Sequence, residues 1–172
     1  LYVRECLETE LRPLLLGGTG SRSEFEAQPD FLPDKYESGT PNTIGIAGLE
    51  AGVRFVLGEG LKTIRQREEE LTACFLDGLA SLPGITIYGP SDAANRTALV
   101  SFNIAGVSPS AAARELDECF GILCRTGLHC APAAHRTIGT FPRGTIRFGF
   151  GYFNQEEEIT LALRSIESIA QS

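Results

Sequence analysis

Apolar residues recur with helical spacing from Ile44 onward. Leu49, Val53, Val56 and Leu57 share one face, and after Gly58 and Gly60 the pattern resumes with Leu61, Ile64, Leu71, Phe75 and Leu79. Two consecutive helices are therefore predicted, ending before Pro83-Gly84, with Arg65, Arg67, Glu68, Glu69 and Glu70 forming a solvated face. Beyond Pro83 the period shortens to two. Strands are predicted over 85–88 and over 97–104, the second with Ala98, Val100, Phe102 and Ile104 on one side. Ser108 supplies an N-cap and Pro109 a first helical residue for a helix that runs through Leu116 and stops at Gly121. A short strand over 122–125 follows, then an irregular stretch rich in glycine and proline. The segment 145–151 alternates again, with Ile146, Phe148 and Phe150 on one face and Thr145, Arg147, Gly149 and Gly151 on the other. Asn154 with Glu157 three residues on reads as a capping box that opens a last helix, whose buried stripe is Ile159, Ala162, Leu163, Ile166 and Ala170.

The stretch before Ile44 behaves differently. Pro13, Gly17, Gly18, Gly20, Pro29, Pro33, Gly39 and Pro41 interrupt it too often for a self-contained fold, although Leu1-Tyr2-Val3 reads as the middle of a buried strand. We divide the chain into 1–43, a tail that leans on other structure; 44–82, linking helices; and 83–172, a small α+β domain with helices packed on one face of a mostly antiparallel sheet.

Composition narrows the function classes. The 172 residues, 42% of them hydrophobic, are enough for a real core, and a formal charge of −7 offers no basic stripe for nucleic acid or anionic lipid. No apolar run is long enough to cross a bilayer. Five cysteines, an odd number scattered along the chain, do not suggest a disulfide framework, so a cytoplasmic protein is expected. There is no methionine, from which we expect a piece of a longer protein.

Four features carry candidate chemistry. Cys130 sits beside His129 in a segment that glycine and proline keep out of regular structure, where a cysteine is either an exposed nucleophile or a small buried residue. Cys6, Cys74, Cys119 and Cys124 lie among apolar neighbours in apparent strands and helices and are expected to be buried. Arg147 shares its strand face with small residues, leaving room for a carboxylate to meet its planar fork; the other reading is an exposed arginine at the sheet edge. Gly17-Gly18-Thr19-Gly20-Ser21 could surround a phosphate with backbone amides and hydroxyls, or be an ordinary loop lacking a P-loop lysine. Cys124, His129, Cys130 and His135 lack the paired Cys-x-x-Cys spacing of structural zinc sites, so no metal is expected, and His135 reads as a satisfied loop histidine.

Together these pieces resemble the cysteine desulfurase and selenocysteine lyase family of class V aminotransferase-like pyridoxal-phosphate enzymes. The resemblance rests on Gly17 to Ser21, on Tyr36-Glu37-Ser38-Gly39-Thr40-Pro41-Asn42-Thr43, on Arg125 through Pro132, and on Gly144-Thr145-Ile146-Arg147 followed by Gly151-Tyr152-Phe153-Asn154. It implies the C-terminal part of an α/β transferase of fold type I, and Gly127-Leu128-His129-Cys130-Ala131 is similar to the branch whose cysteine sits on a short ordered loop. It implies that Cys130 attacks substrate sulfur and carries it away as a persulfide while alanine is released. Arg147 would grip the substrate carboxylate and Arg125 would orient substrate or cysteine loop. Thr19 with Gly18 would reach the pyridoxal 5'-phosphate of a partner subunit, hence a homodimer, with a sulfur-acceptor protein as a further partner. The family's Schiff-base lysine precedes the matching segment. Only Lys35 and Lys62 exist here, neither in its place, so this chain alone is expected to be inactive. Two rivals stay open: a class V relative acting on another amino acid with Cys130 as a bystander, and a non-catalytic interaction domain.

Overall fold

The computed structural model describes residues 2–22 and 24–171. The chain divides into two compact units, Leu1–Phe55 and Val56–Ser172.

Among the described residues, the first unit has no regular element before helix α1 (Thr43–Glu59), which runs past its end. Asn42 caps that helix, its Oδ1 accepting from the Gly45 amide at 3.0 Å. Elsewhere the segment is held by polar links. The Tyr36 hydroxyl donates to the carbonyls of Glu8 (2.7 Å) and Leu11 (3.2 Å). Leu14, Leu15 and Leu16 are 99%, 73% and 66% exposed, so these apolar side chains find no core in the unit. The strand expected at the start is not seen: Leu1 lies outside the described residues, and Tyr2 and Val3 belong to no strand. The apolar face expected to bury α1 is also open, with no buried residue along the helix.

The second unit is built on an antiparallel sheet of β1 (Ile85–Tyr88), β2 (Leu99–Ile104), β3 (Arg125–Gly127) and β4 (Thr145–Gly149), in the order β1-β2-β4-β3. Alternation sends Val100, Phe102, Ile104, Ile146 and Phe148 to one side, where they meet Leu71, Phe75 and Leu79 of α2 (Leu61–Ser81). Helix α3 (Pro109–Phe120) adds Ala112 and Leu116, and α5 (Glu156–Gln171) adds Ile159, Ala162, Ile166 and Ile169. Phe75 is wholly buried, stacked on Phe148 with centroids 5.3 Å apart and edge-on to Phe102 at 6.0 Å. Helices thus cover one face of the sheet and leave the other face polar.

The caps of α3 are those expected: Ser108 Oγ accepts from the Ala111 amide, Pro109 opens the helix, and Gly121 ends it at φ 67°. Three local expectations are corrected. The strand placed over 122–125 lies instead at Arg125–Gly127, because the Ile122 amide turns back to the Leu116 carbonyl at 2.8 Å and completes the helix exit. The cap of α5 sits one residue later than Asn154–Glu157: Glu158 accepts from the Gln155 amide at 2.8 Å, and Asn154 Oδ1 accepts from the Gly151 amide at 2.8 Å. The stretch expected to be irregular contains a short helix, α4 (Pro132–Thr137).

Candidate functional site

The polar face of the sheet gathers the sequence-derived residues of the second unit. In the β3–β4 ladder Arg125 stands directly opposite Arg147 and Gly127 opposite Thr145; on the far side of β4, Ser101 of β2 also faces Arg147. Two like charges in direct register destabilise a bare sheet. Neither guanidinium has a carboxylate within ion-pair distance among the described residues. An arginine pair with no internal anion is suited to receive a carboxylate from outside, through forked hydrogen bonds.

Cys130 follows β3 in the turn Leu128-His129-Cys130-Ala131, closed by the Ala131 amide donating to the Leu128 carbonyl at 2.8 Å. His129 and Cys130 both lie in the left-handed region, at φ 49° and 60°. For non-glycine residues this conformation costs about 1–3 kcal/mol each and survives only where the surroundings impose it. The outcome is an exposed thiol whose Sγ lies 3.7 Å from Nη2 of Arg125. A cation therefore sits beside the sulfur that must carry negative charge to act as a nucleophile.

The turn is anchored by contacts that the sequence does not announce. His129 Nε2 lies 3.1 Å from Oγ1 of the fully buried Thr145. Burial, followed by the charges of Arg147, His135 and Arg125, lowers the His129 pKa and favours the neutral ring. Its Nδ1 is buried without a hydrogen-bond partner among the described residues. Gly144, at φ 79°, touches the Gly127 backbone so closely that a Cβ would lie 2.1 Å from its carbonyl oxygen. The Asn103 amide donates to the Gly144 carbonyl at 3.1 Å and holds that crossing from β2. His135 is buried on α4 with Nδ1 2.6 Å from Thr140 Oγ1, the satisfied histidine that was expected, though on a helix and not in a loop.

Of the other cysteines, Cys6, Cys74 and Cys119 are exposed and not buried as expected; Cys124 is half-buried, and burial followed by the nearby Asp117 raises its thiol pKa. No three histidine, cysteine, aspartate or glutamate side chains converge as a metal site among the described residues.

In the first unit, Gly17, Gly18 and Gly20 take φ values of 86°, 69° and 77°. They line a concavity of about 270 Å³ with Thr19, Ser21 and Arg22. Gly18 packs against Gly39, where a Cβ would lie 3.3 Å from the Gly39 nitrogen. Thr19 Oγ1 reaches the Ser21 carbonyl at 3.2 Å, and Ser38 Oγ donates to the Gly17 carbonyl at 2.6 Å. The Gly17 amide donates to Gln28 Oε1 at 2.8 Å and Ser21 Oγ to the Asp34 carboxylate at 2.9 Å, and the glycine-rich backbone between them is of the kind that surrounds a phosphate group. Of the two lysines, Lys35 Nζ donates to the Glu8 carbonyl and Lys62 is exposed on α2.

Comparison with known proteins agrees with this fold. No described helix is long and apolar enough to cross a membrane. The chain is 35% identical to a probable cysteine desulfurase of Methanothermobacter thermautotrophicus over 99% of its own length and 43% of the relative's. It is 36% identical to a probable cysteine desulfurase of Synechocystis over 98% of its length and 40% of the relative's. The apo cysteine desulfurase of Thermococcus onnurineus superposes with a TM-score of 0.87 at 32% identity, covering 99% of this chain and 42% of that one. The chain thus spans about two fifths of the length of these relatives. The family model for class-V aminotransferases matches residues 1–161, and with the fold and the arginine-flanked cysteine turn this establishes that the chain belongs to the class-V aminotransferase family.

Proposed function

We propose that this chain is the C-terminal portion of a pyridoxal-phosphate-dependent cysteine desulfurase or selenocysteine lyase, with Cys130 as the sulfur-accepting nucleophile. The observation that carries the reading is the Cys130 turn: an exposed thiol in a conformation its own backbone disfavours, 3.7 Å from Arg125, on the face where Arg125 and Arg147 are paired without an anion.

The chain's own residues account for substrate placement and sulfur capture. Arg147 binds the substrate carboxylate, and Arg125, shared between that anion and Cys130, orients substrate against thiolate. The Cys130 thiolate attacks the substrate sulfur. A sulfur–sulfur bond forms as the substrate carbon–sulfur bond breaks, and the electron pair leaves on the carbon, which takes up a proton to give alanine. Cys130 keeps the sulfur as a persulfide for an acceptor protein. Pyridoxal phosphate, when bound, supplies the electron sink that makes that carbon–sulfur bond breakable. Gly18 and Thr19 are the residues of this chain that would hold its phosphate, in our reading across a homodimer. With Lys35 engaged by the Glu8 carbonyl and Lys62 exposed, the chain by itself does not turn over.

The test is Cys130→Ala in the full-length protein. Sulfide and alanine release from L-cysteine should be lost while the absorbance of bound cofactor is unchanged. Release at the parent's rate would move the assignment to a class V enzyme acting on another amino acid.

A further inference from the structure

We propose that His129 is a positioning residue: its ring ties the Cys130 turn to β4, so that the thiol and Arg147 are held in one frame. The inference rests on Cys130 being the nucleophile of the proposed function.

Two neighbouring non-glycine residues in the left-handed region are not held there by local preference alone: histidine, like Asn and Asp, enters it more readily than most residues, but Cys130 has no such preference. Something outside the turn must fix it. The one side-chain hydrogen bond found from the His129 ring runs from Nε2 to Thr145 Oγ1 at 3.1 Å, while Nδ1 is buried and unpartnered. With the His135 ring packed beside it, centroids 5.6 Å apart, that contact with Thr145 sets the ring's orientation. Its far end is rigid, because Thr145 is fully buried and in register with Gly127, while the neighbouring Gly144 is wedged against the Gly127 backbone and held by Asn103. Thr145 lies two residues before Arg147 on the same strand face. The path from the cysteine to the arginine thus runs Cys130, His129, Thr145, Arg147, with one hydrogen bond and otherwise backbone. A neutral ring suits this use, since it keeps one nitrogen to donate and one to accept.

If His129 served only to occupy a left-handed position, Asn would do as well. The experiment separates the two by alkylating the chain with iodoacetamide and mapping each cysteine by mass spectrometry, which needs neither cofactor nor substrate. His129→Asn and Thr145→Val should each slow Cys130 labelling roughly fivefold, the factor one net hydrogen bond is worth, as the sulfur leaves Arg125. The double variant should be no slower than either single one, and Thr145→Ser should label at the parent's rate. Cys74 and Cys119, exposed on α2 and α3, should be unaffected. Parent-rate labelling of Cys130 in His129→Asn, effects that multiply in the double variant, or a rise at every cysteine including Cys124 would each overturn the inference. Should Thr145→Val fail to fold by circular dichroism, His129→Asn alone decides. Sulfide release that survives Cys130→Ala would instead sink the functional reading, and alkylation would still report on the tie.

Discussion

Individual side chains set how close the backbones at the site come. Gly144 is the sharpest instance: any Cβ there would lie 2.1 Å from the Gly127 carbonyl oxygen and 2.2 Å from its carbon, both backbone atoms that cannot rotate away. We expect Gly144→Ala to destabilise the second unit by about 3 kcal/mol, from a left-handed alanine plus that collision, measured by urea unfolding followed by circular dichroism. His129 sets a pH dependence. Its folded-state pKa is lowered by burial and by Arg147, His135 and Arg125, so the unfolded chain binds the proton more readily. The associated stability is fully present above the unfolded value of about 6.5 and is lost as pH falls through the folded value. Thermal midpoints should therefore drop as the pH is lowered from 7.5 toward 5.5, and His129→Asn should flatten that limb. Glu158 contributes separately at lower pH. Its pKa is lowered by hydrogen bonds from Asn154 and the Gln155 amide, so its part is lost only below the ordinary carboxylate value.

At the scale of elements, ends and registers were not equally legible. The start of α3 was plain because Ser108 and Pro109 act on their nearest neighbours: Oγ of Ser108 accepts from Ala111 at 3.2 Å. Removing that acceptor in Ser108→Ala should cost about 1 kcal/mol in the same unfolding experiment, while Ser108→Asn should hold the parent's stability. Strand β3 was misplaced by a few residues because Ile122, Leu123 and Cys124 look like a strand, whereas Arg125-Thr126-Gly127 do not. The ladder with β4 selects the polar triplet by pairing Arg125 with Arg147 and Gly127 with Thr145, and the helix exit takes Ile122. Local pattern cannot contain that information. The α5 cap shifted for a similar reason: Asn154 is drawn to the Gly151 amide, leaving Glu158 to serve Gln155.

For the molecule as a whole, the contrast between the two units is one of core. The second unit buries Phe75, Phe102, Leu116, Ile146 and Ile166 completely. The first leaves Leu14 and Ile44 at 99% and 86% exposure and is held largely by polar links. Backbone amides of α2, β2 and β4 should accordingly resist hydrogen exchange to the level of global unfolding, while those of 2–22 and 24–42 exchange within seconds to minutes, read by mass spectrometry on the intact chain. Uniform protection across both units would contradict this picture.

The sequence by itself determined helices α2, α3 and α5 and strands β1, β2 and β4 of the second unit, the antiparallel sheet covered on one face, the family resemblance, and the residues to watch: Cys130, Arg125, Arg147, Gly18 and Thr19. Those follow from period, caps and short motifs, which act over a few residues. Only the tertiary structure decided that Arg125 and Arg147 stand opposite each other, that His129 meets Thr145 sixteen residues away, that Gly144 must be bare against Gly127, and that three cysteines expected inside lie outside. The first three depend on which strands pair and in what register, which a chain fixes only when distant segments bury their apolar faces together, and the cysteines on which surfaces that burial leaves outside.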